Sequence, residues 1–154
     1  MSARGAVAVV ACVAGAVWAA DASAQQLDLT ITPSSFTFAS ADPDTTPVVS
    51  APPLTVGYRV RQNAQGNWLL TVRADGDLTS GAETIPISNV TWIGTPAPPF
   101  QNGTMSRSVE QPVASGSGNQ AAERTGSLTF HLVNSWTYSA GLYTQTFVFT
   151  LTAP

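Results

Sequence analysis

After residue 25 apolar and polar residues alternate along much of the chain, and a period of two is the pattern of strands with one buried face. Leu27, Leu29 and Ile31 alternate with polar neighbours until Pro33 closes the segment. Phe36 and Phe38 start a short second strand. From Ala39 to Pro53 the prolines at 43, 47, 52 and 53 forbid a regular ladder, and this stretch reads as a loop. Leu54, Val56, Tyr58 and Val60 form a strand whose other face carries Arg59 and Arg61. A turn over Asn63 to Asn67, containing Gly66, leads to Trp68, Leu70 and Val72, and the pair predicts a β-hairpin.

Asp75-Gly76-Asp77 then turns the chain, and Ile85, Ile87, Val90 and Trp92 predict one or two short strands. Gly94 to Gly103 is a second proline-rich loop, Met105 to Val113 is extended, and Ala114 to Gly126 reads as a flexible polar loop rich in Gly and Ser. The strongest alternation comes last. Leu128, Phe130 and Leu132 share a face, with Thr129, His131 and Val133 opposite. Phe147, Phe149 and Leu151 share another, with Val148, Thr150 and Thr152 opposite. No stretch has helical periodicity beyond one turn at Ala121-Ala122-Glu123. Seven to nine short strands with Pro and Gly punctuation predict an all-β, immunoglobulin-like β-sandwich, its last strand lying centrally.

The first 24 residues break this pattern. Arg4 is followed by an apolar run from Ala6 to Ala20, then by Asp21 and Ala22-Ser23-Ala24. A basic start, an apolar middle and a small-x-small end make a secretory signal peptide, cut after Ala24. At about 15 residues the run is short of the ~20 that span a bilayer. Cys12 sits within it, and the apolar stretch continues past that residue, unlike a lipoprotein box. The expected products are a cleaved leader, 1–24, and a single domain, 25–154, that is secreted, extracellular or bound at the cell surface, with the periplasm as a further location.

Composition narrows the partners. The chain has one Cys, inside the leader, so the mature domain has no disulfide. All six basic residues are Arg, and nine residues are acidic. Arg4 and Asp21 leave with the leader, so five Arg face eight acids, a net charge of −3. Without a basic patch the chain is not expected to bind nucleic acid.

Two segments carry a family resemblance. Trp68-Leu69-Leu70-Thr71-Val72, following Gly66, resembles the first Trp-x-Leu element of the WxL domain of bacterial surface proteins. The end of the chain, from Ala140-Gly141-Leu142-Tyr143 through Phe147-Val148-Phe149-Thr150-Leu151 to Pro154, resembles the last strand of that domain, with Phe149 where the family carries a second Trp. The resemblance implies an immunoglobulin-like or related sandwich held noncovalently at the cell surface, with peptidoglycan as the associated wall component. A similar ending occurs in pilin-like and spore-coat-U-like domains. Residues two apart on a strand share a face, so Trp68 with Leu70, and Phe149 with Leu151, are expected in the core.

The binding candidates are exposed aromatics. Trp136 and Tyr138 alternate in the loop Asn134 to Ser139 between the two strongest strands. Their rings either stack on a sugar face or a partner side chain, or fold back to cap the sandwich edge. Phe100, in the proline-rich loop, is a third candidate, and Trp92 is expected in the core. Asp42, Asp44, Asp75 and Asp77 lack the spacing of a calcium loop and suit turns, so no metal and no cofactor are expected. His131 is the single histidine, and Gly116-Ser117-Gly118 is no strained nucleophile elbow. The expectation is therefore no catalytic residue and no enzyme. The expected partners are a cell-wall polymer or another envelope protein, without a transmembrane anchor. Self-association through the strand 26–32 is the alternative, since such a segment pairs with its own sheet or inserts into a neighbour.

Overall fold

A computed structural model describes residues 7–12, 25–62 and 64–154, with the backbone alone for 7–12. The expected signal peptide and its cut site therefore lie outside the described residues, apart from one backbone segment. The elements in chain order are β1 (Val7–Cys12), β2 (Gln26–Thr32), β3 (Ser35–Thr37), β4 (Val48–Ser50), β5 (Leu54–Arg61), β6 (Asn67–Ala74), β7 (Leu78–Ser80) and β8 (Glu83–Ile85). A 3-10 turn (Ile87–Asn89) precedes β9 (Val90–Thr95), β10 (Gly103–Thr104), β11 (Gln111–Ser117), β12 (Gln120–Val133) and β13 (Thr146–Thr152). Twelve described strands follow residue 25, more than the expected seven to nine, and seven of them are six residues or longer. The other five are of two or three residues, too short to show a period.

Two sheets face each other, as the alternation predicts. One has the order β11-β6-β13-β1-β3 and the other β10-β9-β12-β5-β2, with β4 also pairing β12. Strands β7 and β8 make a separate ribbon. The last strand, β13, is the middle one of its sheet, antiparallel to β6 and parallel to β1. Strand β2 pairs within the chain, antiparallel to β5 and at the edge of the second sheet.

Two expectations are corrected. The segment 114–126 is not a flexible loop. Most of it belongs to β11 and the first half of β12, joined at 118–119 with Gly118 at φ +78°. Its residues are mostly exposed, so these strands are held by backbone ladders to β6 and β5, and polar side chains mask the strand character. Nor do β5 and β6 form a hairpin: they belong to opposite sheets, and the chain arches across between them. The arch is tied to the β11–β12 turn, where Gly118 N–H donates to the Gly66 carbonyl at 2.8 Å. Gln62 Nε2 donates to the carbonyls of Gly66 and Gly118, at 2.8 and 3.1 Å.

The core lies between the sheets. Phe36 and Phe147 from the first sheet meet Phe130 from the second, and the Phe36 and Phe130 rings stack with centroids 4.9 Å apart. Trp68 and Tyr58 meet across the sandwich at 4.7 Å. Trp68, Leu70, Phe149 and Leu151 are all buried, as their two-residue spacing requires, and Trp92 is buried with them. Three rings, those of Trp92, Phe100 and Trp68, lie directly on glycines of other strands, Gly103, Gly126 and Gly116. A Cβ at Gly103 would fall 2.2 Å from the Trp92 ring, and one at Gly126 would fall 2.1 Å from Phe100.

Candidate functional site

The loop after β12 reaches the end of the sandwich beside the loop 39–47. Asn134 ties the two together. Its Nδ2 donates to the carbonyls of Ala41 at 3.1 Å and Thr46 at 3.0 Å, and its backbone N–H donates to Pro47 O at 2.8 Å. Ser135 then starts a tight turn. Its Oγ accepts from the Thr137 N–H at 3.2 Å, and its carbonyl accepts from the Tyr138 N–H at 3.2 Å. This is how serine commonly stabilises a turn, by offering the backbone a local partner.

The turn sends its two aromatics different ways. Trp136 is 64 % exposed. Its Nε1 donates to Asp44 Oδ1 at 3.0 Å, while Asp42 Oδ1 accepts the Asp44 N–H at 2.9 Å. The Asx turn at Asp42 therefore positions the carboxylate that holds the indole. Tyr138 folds back, packs against the core and accepts a hydrogen bond from Asn89 Nδ2 at its hydroxyl. Tyr143 closes the floor, donating from its hydroxyl to Ser139 O at 2.9 Å. Burial, with Glu83 nearby, pushes that phenol above its ordinary value.

Asn134, Ser135, Tyr138 and Tyr143 line a cleft of about 160 Å³, walled also by Ala39, Ala41, Pro43 and Val133, with the exposed Trp136 at its rim. Pockets that enclose a drug-sized ligand run to ~300–1,000 Å³. The cleft suits one inserted group with the rest of the ligand lying across the surface. Val48 and Val133 are register partners on the neighbouring strand pair, about half exposed, and extend the apolar surface.

Of the three residues singled out in the sequence, the structure brings Trp136 and Tyr138 to this cleft, one open and one tucked in. Phe100 is not exposed: it is 2 % accessible, packed against Tyr58 at 6.0 Å and over Gly126. The bare backbone of Gly126 makes room that the proline-rich loop fills with a ring, so a surface role for Phe100 is corrected. Asp44 was missed as a partner because it lies 92 positions from Trp136. Asp77 has a turn role, accepting the Ile87 N–H at 2.9 Å and pairing with Arg107 at 2.8 Å.

A second polar pair lies on β4 and β12. Ser50 Oγ and His131 Nδ1 are 2.8 Å apart, and His131 Nε2 is buried without a hydrogen-bond partner among the described residues. In a Ser-His-acid relay the far ring nitrogen is oriented by a carboxylate. Here it faces none, and the pair reads as a cross-strand contact. Among the described residues no group of three or more His, Cys, Asp or Glu is placed to hold a metal ion. No helix among them is long and apolar enough to cross a membrane.

Comparison with models of known protein families gives no match, and no curated protein matches the chain.

Proposed function

We propose that the protein is an exported, non-enzymatic β-sandwich of the bacterial cell envelope, similar to WxL-type surface domains. In this reading it binds a cell-wall polymer, with peptidoglycan first among them, through the Trp136 cleft. The observation that carries the reading is the exposed indole of Trp136, fixed by Asp44 at the rim of a shallow apolar cleft. A flat ring held by its polar edge keeps its face free for a sugar ring or an acyl group, and little side-chain entropy is lost when a ligand arrives. The Ser139 hydroxyl, and the Oδ1 of Asn134, whose Nδ2 is committed to Ala41 and Thr46, belong to the same cleft and are partners for sugar hydroxyls. The leader pattern of Arg4, the apolar run and Ala22-x-Ala24 supports export.

The test is co-sedimentation of the exported protein with purified peptidoglycan. Wild type should pellet with the wall, and Trp136→Ala should stay in the supernatant. A wild-type protein that does not pellet ends this reading.

A further inference from the structure

The strand β1 holds a position with consequences for the rest of the fold. It lies between β13 and β3 and pairs with both, and it is the neighbour through which β3 joins its sheet. Yet β1 falls inside the leader. Ala8, Val10 and Cys12 stand at the register positions beside Phe36, Phe147 and Phe149, all three of which are buried. Cleavage after Ala24 would remove this strand. The free ladder edges of β13 and β3 would then flank a groove over the aromatic core, and unpaired strand edges of that kind are templates for another strand.

We propose that this groove is an acceptor site for the β2 segment, residues 26–32, of a second copy of the chain. The inference rests on export with removal of the leader, and is independent of whether the Trp136 cleft binds wall polymer. Three observations select the occupant. Leu27, Leu29 and Ile31 repeat the two-residue spacing of Ala8, Val10 and Cys12 with larger apolar side chains, and in their present place they are only partly buried. Among the described residues strand β2 is at a sheet edge, paired with β5 alone. Moving it costs one ladder, and in the groove it gains two. Finally, β2 would follow directly on the new N-terminus at Gln25, so it could leave its sheet without threading a loop.

The occupant comes from another copy because of Pro33. Only Pro33 and Ser34 separate β2 from β3. Folding β2 back beside its own β3 would need a two-residue hairpin, and the turns that make one require positive φ at the first loop position. Proline is locked near −65° and cannot supply it. A donor at one end and an acceptor groove elsewhere on the same chain make a head-to-tail contact, which builds an open chain of copies when its rotation does not close a ring.

The experiment uses the exported protein, its N-terminus read by mass spectrometry, over a range of concentrations by light scattering. The expected result is an N-terminus at Gln25 and a series of oligomers that lengthens with concentration. A synthetic peptide of residues 26–32 should cap the acceptor and return the mass to a single copy. Leu29→Asp, which spoils the donor, should abolish the series yet still take up the peptide, showing that its acceptor is folded. Exported protein that keeps residues 1–24 overturns the proposal. So does a strict monomer at every concentration, whether or not it binds the peptide. Oligomers indifferent to both peptide and Leu29→Asp overturn it as well, because another surface must then join them.

Discussion

The indole nitrogen of Trp136 donates to the carboxylate of Asp44 across 92 positions of sequence, at 3.0 Å. An exposed side chain is thereby held at one edge while its face stays open. Removing the carboxylate should loosen the ring without removing it. Asp44→Ala is expected to weaken retention on peptidoglycan partly, and Trp136→Ala more strongly. Because both groups are exposed, neither change should move folding stability by more than about 0.5 kcal/mol. Co-sedimentation and urea unfolding on the same samples measure the two effects.

The core prediction concerns Phe130, whose ring stacks on Phe36 and packs against Phe147 and Trp92. It is fully buried between the sheets. Phe130→Ala should cost about 3–5 kcal/mol, combining lost transfer energy with the cavity left behind. The check is the urea midpoint at constant m-value. A loss under about 1 kcal/mol would mean that the two sheets can close over the gap.

Gly126 should tolerate no side chain. The Cβ of Gly126→Ala would enter the Phe100 ring, which is enclosed and has little room to retreat. Overpacking of this kind costs about 1–3 kcal/mol. Because the two residues touch, the double change with Phe100→Leu should be less destabilising than the sum of the single ones, a coupling that a double-mutant cycle reads directly.

Stability should fall on the alkaline side. Burial pushes the Tyr58 phenol above its ordinary value of 10.0, with Arg124 partly offsetting it, and burial and Glu83 push Tyr143 in the same direction. In the unfolded chain both ionise near pH 10. Above that pH the unfolded state releases protons that the native state still holds, so native stability declines as pH rises from about 10 through the higher folded values. Below pH 10 this contribution is complete and constant. Unfolding midpoints across pH 8 to 11 should show the decline, and Tyr58→Phe should make it shallower. An identical slope in that variant would remove Tyr58 from the account.

The strands with an alternating apolar face, such as β5, β6, β12 and β13, were legible because burial on one side writes a period of two into the sequence. The same period does not say which strand lies alongside. That is why β5 and β6 looked like a hairpin although they sit in opposite sheets. Strand β11 and the start of β12 were hidden for the opposite reason: Ser115, Gly116, Ser117, Arg124 and Thr125 have little apolar surface to declare and are held by backbone pairing, while Ala121 to Glu123 form an irregularity in the β12–β5 ladder. At the site, Trp136 and Tyr138 were legible as aromatics in a polar loop. Their division into one open and one tucked ring was not, because it depends on Asp44 and Asn89, both distant in sequence. Phe100 misled because three prolines announce a surface loop, and nothing local announces the gap over Gly126.

The two tryptophans that lie across glycines bear on a different problem, how an edge strand without covalent fastening keeps its alignment. Gly103 of β10 is the register partner of Trp92, and Gly116 of β11 is that of Trp68. Sliding β10 by two residues would bring Gln101 or Met105 against an indole that leaves no space for a Cβ. Each ring thus acts as a detent, a notch that admits one alignment of the outer strand and rejects its neighbours. In a domain whose sequence after residue 12 contains no cysteine, backbone ladders hold β10 and β11, and these notches fix their alignment by shape.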